Sequence, residues 1–469
     1  MRAAKRRVRV SVAAVGATAL LAACGSDDSG GGGGGDDAGG PLVVWTLENL
    51  PDRVAAQEQI AAAFTQSSGI DVDLVAIDEN QFNQLLTSSA AAGELPDVVG
   101  ALPLAGVQAL AANELLDPDA AAAVVDDLGA DTFSERALEL TSDDDTQLAV
   151  PSDGWAQLLL YRKDLFDAAG LPAPATYDDI LAAAQKLDTP QLAGFTGATV
   201  PNDAFTQQTF EHLALGNGCQ MVDDGGDVTL DSDQCVAAFD FYDRLISDYS
   251  VSGAQDVDTT RAAYFAGQSA MVVWSSFILD EMAGLRADAK PTCPECAADP
   301  AFLAKNSGVV TAISGPDGDE PAQFGEIVSW AVTADAQTDA ATRFVQYMMS
   351  DGYEQWIGFS PEGKVPTRTG TADEPTRFID AWATLPAGVD TKAPLADFYS
   401  ADVLDALRTS PDTISPWGIP QGQGALVGAS LGELPVPQAI ASMTAGELDP
   451  SAAAKQAADA LREIASSLD

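Results

Sequence analysis

The 469-residue chain carries 23 Lys and Arg against 70 Asp and Glu, a formal charge of −47. So acidic a chain lacks the basic face that phosphate contacts need, which argues against nucleic acid as a partner and disfavours anionic ligands by long-range repulsion. With 46 % hydrophobic residues it can still bury a large core, and its length allows two or three domains.

The chain starts with Arg2, Lys5, Arg6, Arg7 and Arg9, then an apolar run from Val10 to Ala23 broken by Ser11, Gly16 and Thr18. Leu21-Ala22-Ala23-Cys24 and Gly25 follow. A basic start, a short apolar run and small residues at the cut describe a secretory signal. The run falls short of the roughly 20 residues that a spanning helix needs. The cysteine at the cut resembles a lipobox, which implies cleavage before Cys24 and its lipidation; the alternative is an ordinary signal with an incidental cysteine. Ser26 to Gly40 is almost all Gly and Asp and reads as a flexible tether. Residues 1–23 are thus expected to be a signal peptide, and 24–40 a lipid anchor and tether on the outer face of the cell membrane. Without the five basic residues of the signal, 18 Lys and Arg face 70 acids, a charge of −52, read mainly as surface solubility.

The body opens with an apolar strand from Pro41 to Trp45, a polar turn to Asp52, and a helix from Val54 to Gln66. Ile70 to Ile77 alternates as a strand, Asn80 to Ala92 is a helix closed by Gly93, and Pro96 to Gly100 is another buried strand. Strand–helix–strand units with short links predict a mainly parallel sheet with helices on both faces. Val107 to Leu115 is a helix ended by Asp117-Pro118. Leu148 to Pro151 reads as a short strand ending at proline, Ser152 to Gly154 as a turn, and Gln157 to Tyr161 as a second strand. Helical turns from Asp164 to Ala169 stop at Gly170, and Thr176 starts a helix to Leu187 with Asp179 three residues on. Further helices are expected at Gln207 to Leu215, Cys235 to Leu245, Asp339 to Met349 and Glu447 to Ile464, with strands at Met271 to Val273 and Phe324 to Thr333. In an extracellular chain the four remaining cysteines, Cys219, Cys235, Cys293 and Cys296, suggest disulfides between neighbours; a four-cysteine zinc site and a redox motif at Cys293 to Cys296 are the alternatives.

Val150, Pro151, Leu160, Tyr161, Lys163, Asp164, Leu165, Phe166, Ala169, Gly170, Leu171, Pro174, Thr176, Tyr177 and Asp178 stand in an order and spacing that carries information. The stretch resembles the first interlobe crossover of bacterial extracellular solute-binding proteins, in the family that contains maltose-binding protein. Arg162 replaces a common Asn. Trp45 at the first strand's end, Pro96-Asp97-Val98, Ala270-Met271 and Gly363-Lys364-Val365-Pro366 extend the resemblance from Pro41 to Leu468, weakest at 285–323 and 371–410. It implies an α/β, two-lobed periplasmic-binding-protein-like (type II) fold with interlobe crossovers. The lobes implied are 41–152 plus 275–328, and 153–274 plus 329–469, with the C-terminal helices able to pack across them. It implies a monomer that closes on a carbohydrate and delivers it to the permease subunits of an ABC importer, with no cofactor and no metal.

Ligands of such sheets bind beyond the carboxyl ends of the strands. Sugars need aromatic faces and polar side chains for their hydroxyls. The candidate ligand set is Trp45, Glu48, Asn49, Gln81, Leu102, Asp153, Trp155, Gln207, Trp274, Phe277, Trp330 and Trp417. The family's usual Gly-x-Trp after the strand at Met271 is absent, and Trp274-Ser275-Ser276-Phe277 stands there, so Trp274 and Phe277 compete for the stacking role. Trp356 and Trp382 lie in helical stretches and read as structural. Gly428 to Gly432 matches the pattern G-x-S-x-G, but the base of that fold follows the serine, and the single histidine, His212, precedes it. No phosphate-binding glycine motif occurs. The other readings are an extracellular carbohydrate-active enzyme, since two acids can hydrolyse a glycoside, and a binding protein for a polyol, peptide or osmolyte.

Overall fold

Residues 42–46, 72–76 and 98–103 form strands that pair in parallel, Leu42–Thr46 lying between the other two. The computed structural model describes residues 40–468, so the signal, Cys24 and the tether up to residue 39 lie outside the described residues. Pro51–Ser68 returns the chain between the first two strands; Pro51 opens this helix and Gly69, at φ 76°, closes it. The remaining pairings of the large sheet are antiparallel. Gly325–Val332 lies between Val98–Pro103 and the long strand Val150–Arg162, antiparallel to both. Met271–Ser275 and Ser307–Val310 then pair antiparallel with the distal half of the long strand. The sheet is therefore mixed rather than mainly parallel. A chain that leaves and returns by neighbouring strands needs no crossover helix between them.

The turn expected at 152–154 instead lies inside the 13-residue strand Val150–Arg162, near its start. Its register with Gly325–Val332 shifts between Pro151 and Asp153. That irregularity accommodates a proline that cannot donate to the ladder. Beyond it the side chains alternate between two hydrophobic cores. Leu158 and Leu160 enter the first, and Leu159 the second. Met271 and Val273 likewise face the second core while Val272 and Trp274 face the first. A strand buried on both faces in this way reads as a continuous apolar run.

Segments 42–150 and 330–407 supply most of the first core, and 159–245 and 417–464 most of the second. The boundary expected at 328/329 thus falls inside Gly325–Val332, and Trp330 to Leu407 pack with the first core, not the second. The reason is the ladder from Val98 to Val332, which draws the returning chain back onto the first strands. Residues 278–304 pack with the first core, and Ile313 and Phe324 with the second. The helices Pro435–Thr444 and Pro450–Leu468 close the second core. Among the described residues no helix is long and apolar enough to cross a membrane. The cysteines pair as neighbours, Cys219 with Cys235 and Cys293 with Cys296.

One buried cation ties three passes of the chain together. Lys364 is 1 % exposed. Its Nζ lies 2.6 Å from Glu48 Oε1, just past the first strand, and 3.1 Å from Asp153 Oδ1 on the long strand. It rests on the ring of Trp356, 4.2 Å from the centroid. Trp356 Nε1 and Ser152 Oγ both donate to Asp153 Oδ2, each at 2.6 Å. Glu48 also takes a bond from Arg53 Nη1 at 2.6 Å. Burial pushes the Glu48 carboxyl up, but Lys364 and Arg53 together outweigh it and hold the group at about 2. Asp153 moves the other way: burial raises it against the pull of Lys364.

Lys364→Met leaves the buried Asp153 without a cation and Glu48 with Arg53 alone. Breaking a buried pair in this way costs about 3–5 kcal/mol. The denaturant midpoint should fall accordingly, and a midpoint equal to wild type would show that the cluster does not hold the fold. The cysteine pairing predicts an intact mass, measured without reductant, four hydrogens below that of the reduced chain. Opening the Cys219–Cys235 loop should cost about 3 kcal/mol by loop entropy. Four thiols titrating in the native protein would refute the pairing.

Candidate ligand-binding cleft

Trp155 lies on the long strand where the chain passes from one core to the other. It sits opposite Glu326 in the ladder. Its half-buried ring is 6.5 Å from that of Phe277, which packs on the first core, and 5.9 Å from that of Phe324, which belongs to the second. Each of these phenylalanines lines a cavity, so Trp155 stands between the two.

The cavity on the Phe277 side has a volume of ≈ 350 Å³ and is lined by Leu50, Arg53, Arg261, Trp274, Glu281, Arg286 and Glu362. Its guanidinium groups are held in place by acids. Arg53 reaches Glu48 and donates to Ser360 Oγ at 2.9 Å, which sets it 5.1 Å above the Phe277 ring. Arg261 pairs with Glu281 at 2.8 Å and Asp258 at 2.7 Å and lies 5.6 Å above Trp274. A methyl group at Gly363 would overlap the Phe277 ring, so glycine there lets the 361–366 segment touch it. Beside the cavity, Asp280 is 1 % exposed, and among the described residues neither of its carboxyl oxygens has a partner. Burial, then the Glu362 and Glu281 carboxyls, push it up. Burial raises Glu281 to about 7, against Arg261. The wall therefore offers both fixed donors and carboxyl oxygens, the mixture that a hydroxyl-rich ligand engages.

The cavity on the Phe324 side is smaller, ≈ 60 Å³, and is lined by Leu104, Gln207, Glu211, Glu326 and Trp417 among others. Gln207 is buried here and its Oε1 has no partner among the described residues. Behind it, the buried His212 accepts from Phe324 N at 3.3 Å through Nδ1, and burial lowers it to about 3.

The structure sorts the expected ligand set into three groups. Phe277 and Trp274 line the larger cavity, Trp274 while donating to Val257 O at 3.0 Å, Trp155 lies 6.5 Å from the Phe277 ring, and Gln207 lines the smaller cavity. Glu48 and Asp153 are taken up by Lys364. Asn49 and Gln81 are exposed outside both cavities. Trp330 is a correction: its indole is 1 % exposed, packed on Gly100 between Phe344 and Trp356, because a strand end flanked by other strands points into the core. Trp45 and Leu102 are core residues for the same reason. Trp417 touches the small cavity but is otherwise fixed in the second core, donating to Cys219 O at 2.8 Å.

Sequence reasoning missed Arg53, Arg261, Arg286, Glu211, Glu281, Glu326, Glu362 and Lys364. The one available signal was Lys364 itself, a charge between Gly363 and Val365-Pro366. Trp356, read as structural, is structural through a specific bond to Asp153. Ser430 of the G-x-S-x-G pattern is buried at a helix end and donates to Val427 O at 2.8 Å. Among the described residues no group of three or more His, Cys, Asp or Glu is arranged to hold a metal ion.

Comparison with known proteins agrees with this architecture. The chain is 27 % identical over 324 residues, 67 % of its length and 70 % of the relative's, to YcjN of Escherichia coli strain K12, whose name describes an ABC transporter periplasmic-binding protein. The GacH receptor of Streptomyces glaucescens, solved unliganded and with acarbose, superposes with a TM-score of 0.68 at 21 % identity, over 90 % of this chain and 97 % of that one. Maltose-bound MalE3 of T. maritima gives 0.68 at 18 % identity, over 90 % and 99 %. The fold is thus the two-lobed α/β type with interlobe crossovers. The model of one family, described as bacterial extracellular solute-binding protein, matches residues 59–430, and the chain belongs to that family.

Proposed function

We propose that this protein is the substrate-binding component of an ABC importer and captures a neutral carbohydrate by closing its two lobes on it. The observation that carries this reading is the position of Trp155. It lies on the strand shared by both cores, between two cavities lined by aromatic rings, guanidinium groups and carboxyls. A sugar between the lobes stacks its C–H face on Trp155 or Phe277 and gives its hydroxyls to the polar wall. A ligand that touches both lobes stabilises the closed form by its extra affinity for that form. The strands Val150–Arg162 and Gly325–Val332, which run side by side between the cores, serve as the hinge. Ligands of similar folds, acarbose and maltose, support the carbohydrate class. Lipidation of Cys24 and the glycine-rich tether hold the body at the outer membrane face, within reach of the permease. Two or more acyl chains anchor stably where one does not.

A thermal-shift panel of maltose, acarbose, a β-linked disaccharide and a sugar alcohol identifies the class. Calorimetric titration with the best member then tests the site. Trp155→Ala should weaken binding at least tenfold, about 1.4 kcal/mol, with the melting temperature little changed. Full affinity in the variant removes Trp155 from the site, and lost affinity with a collapsed melting temperature assigns it to the core. Cys24→Ala should release the protein from membranes or leave it unprocessed on cell fractionation. Normal cleavage with unchanged membrane retention would reject the anchor.

A further inference from the structure

We propose that Glu211 and Glu326 form a proton-dependent latch across the hinge: the closed form keeps a proton on Glu211, and its loss to water opens the cleft. The inference rests on the reading that the protein closes on a hinge. Its basis is the small cavity beside Trp155. Glu211 comes from the helix Ala204–Leu215 of the second core. Its Oε1 accepts from Trp417 N at 2.7 Å, so one carboxyl oxygen is committed to holding the 415–419 segment. Glu326 comes from the hinge strand, and its Oε1 accepts from Leu104 N at 2.8 Å, the first amide of the helix Leu104–Ala112, which packs on the first core. One carboxyl thus comes from a second-core helix and the other from the hinge strand, and both wall the same ≈ 60 Å³ space.

Among the described residues no other charge lines that space. Leu104–Ala112, Gly424–Ser430 and Pro435–Thr444 carry no ionisable side chain. The helix Asp233–Tyr249, packed behind Glu211, keeps its charged residues exposed or half-exposed. Arg136 approaches the 414–415 segment but donates to Ile414 O and Ser415 Oγ and pairs with Glu139. His212 is turned to Phe324 N. Among the described residues Glu211, 3 % exposed, therefore has no cation to balance it and a second carboxyl across the same cavity. Burial raises it to about 8, with Glu326 adding to the rise and the bonds from Trp417 and Gln207 opposing it.

The sign follows from linkage. When the lobes part, water reaches Glu211 and its pKa returns toward the ordinary carboxylate value. The closed form therefore binds this proton more tightly than the open form. Closure is fully favoured below the open-form value and weakens as pH rises toward about 8, by up to tenfold per pH unit in the closed-to-open ratio.

Small-angle X-ray scattering of the ligand-free protein from pH 5 to 9 tests this. The radius of gyration should rise with pH in wild type and stay at its low-pH value in Glu211→Gln, which keeps a neutral side chain of the same shape. Glu326→Gln should shift the wild-type transition to lower pH, and provides the test if Glu211→Gln fails to fold. A wild-type radius that does not change with pH overturns the latch, as does a Glu211→Gln variant that responds like wild type or an unmoved transition in Glu326→Gln. The same measurement with maltose and acarbose separates the two ideas. A radius that answers a sugar but not pH removes only the latch, and one that answers neither removes hinge closure as well.

Discussion

The contact between Lys364 and its two carboxylates constrains everything near the cleft. An ammonium group without water must find its whole coordination among protein atoms. Here it finds Glu48, Asp153 and the face of Trp356, and each comes from a different pass of the chain. Satisfying one charge therefore fixes the loop after the first strand, the early part of the long strand and the 361–366 segment relative to one another. The chain of contacts continues outward. Glu48 orients Arg53, Arg53 lies over Phe277, and Phe277 approaches Trp155. A shift of about one ångström at Lys364 would thus reach the aromatic surface of the cleft through rigid, hydrogen-bonded intermediates.

Much of the fold could be read in the sequence because it rests on local rules. Thr176 accepts from Asp179 N at 3.2 Å as the first turn requires. The crossover motif from Val150 to Asp178 led to the fold class. What failed did so where distant partners override local preference. Pro151 reads as a strand end, yet the returning strand takes it in through a register shift. The strand at 324–333 was correctly placed in sequence, but which core it feeds depends on its neighbours, Val98–Pro103 and the long strand. Tryptophans at strand ends looked alike in the sequence. Trp155 and Trp330 differ only in what surrounds them: a boundary between cores for one, and Gly100, Phe344 and Trp356 for the other. The polar wall of the cleft was the least legible part. In a chain with 70 acids, no spacing rule marks the few that are buried.

The acid excess gives those few buried carboxyls their character. Cations are scarce, and the buried ones are each fully engaged. Lys364 serves Glu48 and Asp153, while Arg368, 3 % exposed, is satisfied by Met349 O, Leu128 O and Thr132 Oγ1 instead of an acid. Glu48, held between two cations, Lys364 and Arg53, stays ionised. A buried carboxyl that meets no cation must take a proton or lose its burial, because an isolated charge in a low-dielectric interior costs several kcal/mol. Glu211 and Asp280 belong to this second class. Both lie beside the cavities that flank Trp155, not deep in either core. A fold whose surface charge is −52 outside its signal would gain nothing from more negative charge in its cleft. In the proposed closure on a carbohydrate, neutral carboxyls supply hydroxyl-binding groups there without adding to the repulsion between the two lobes.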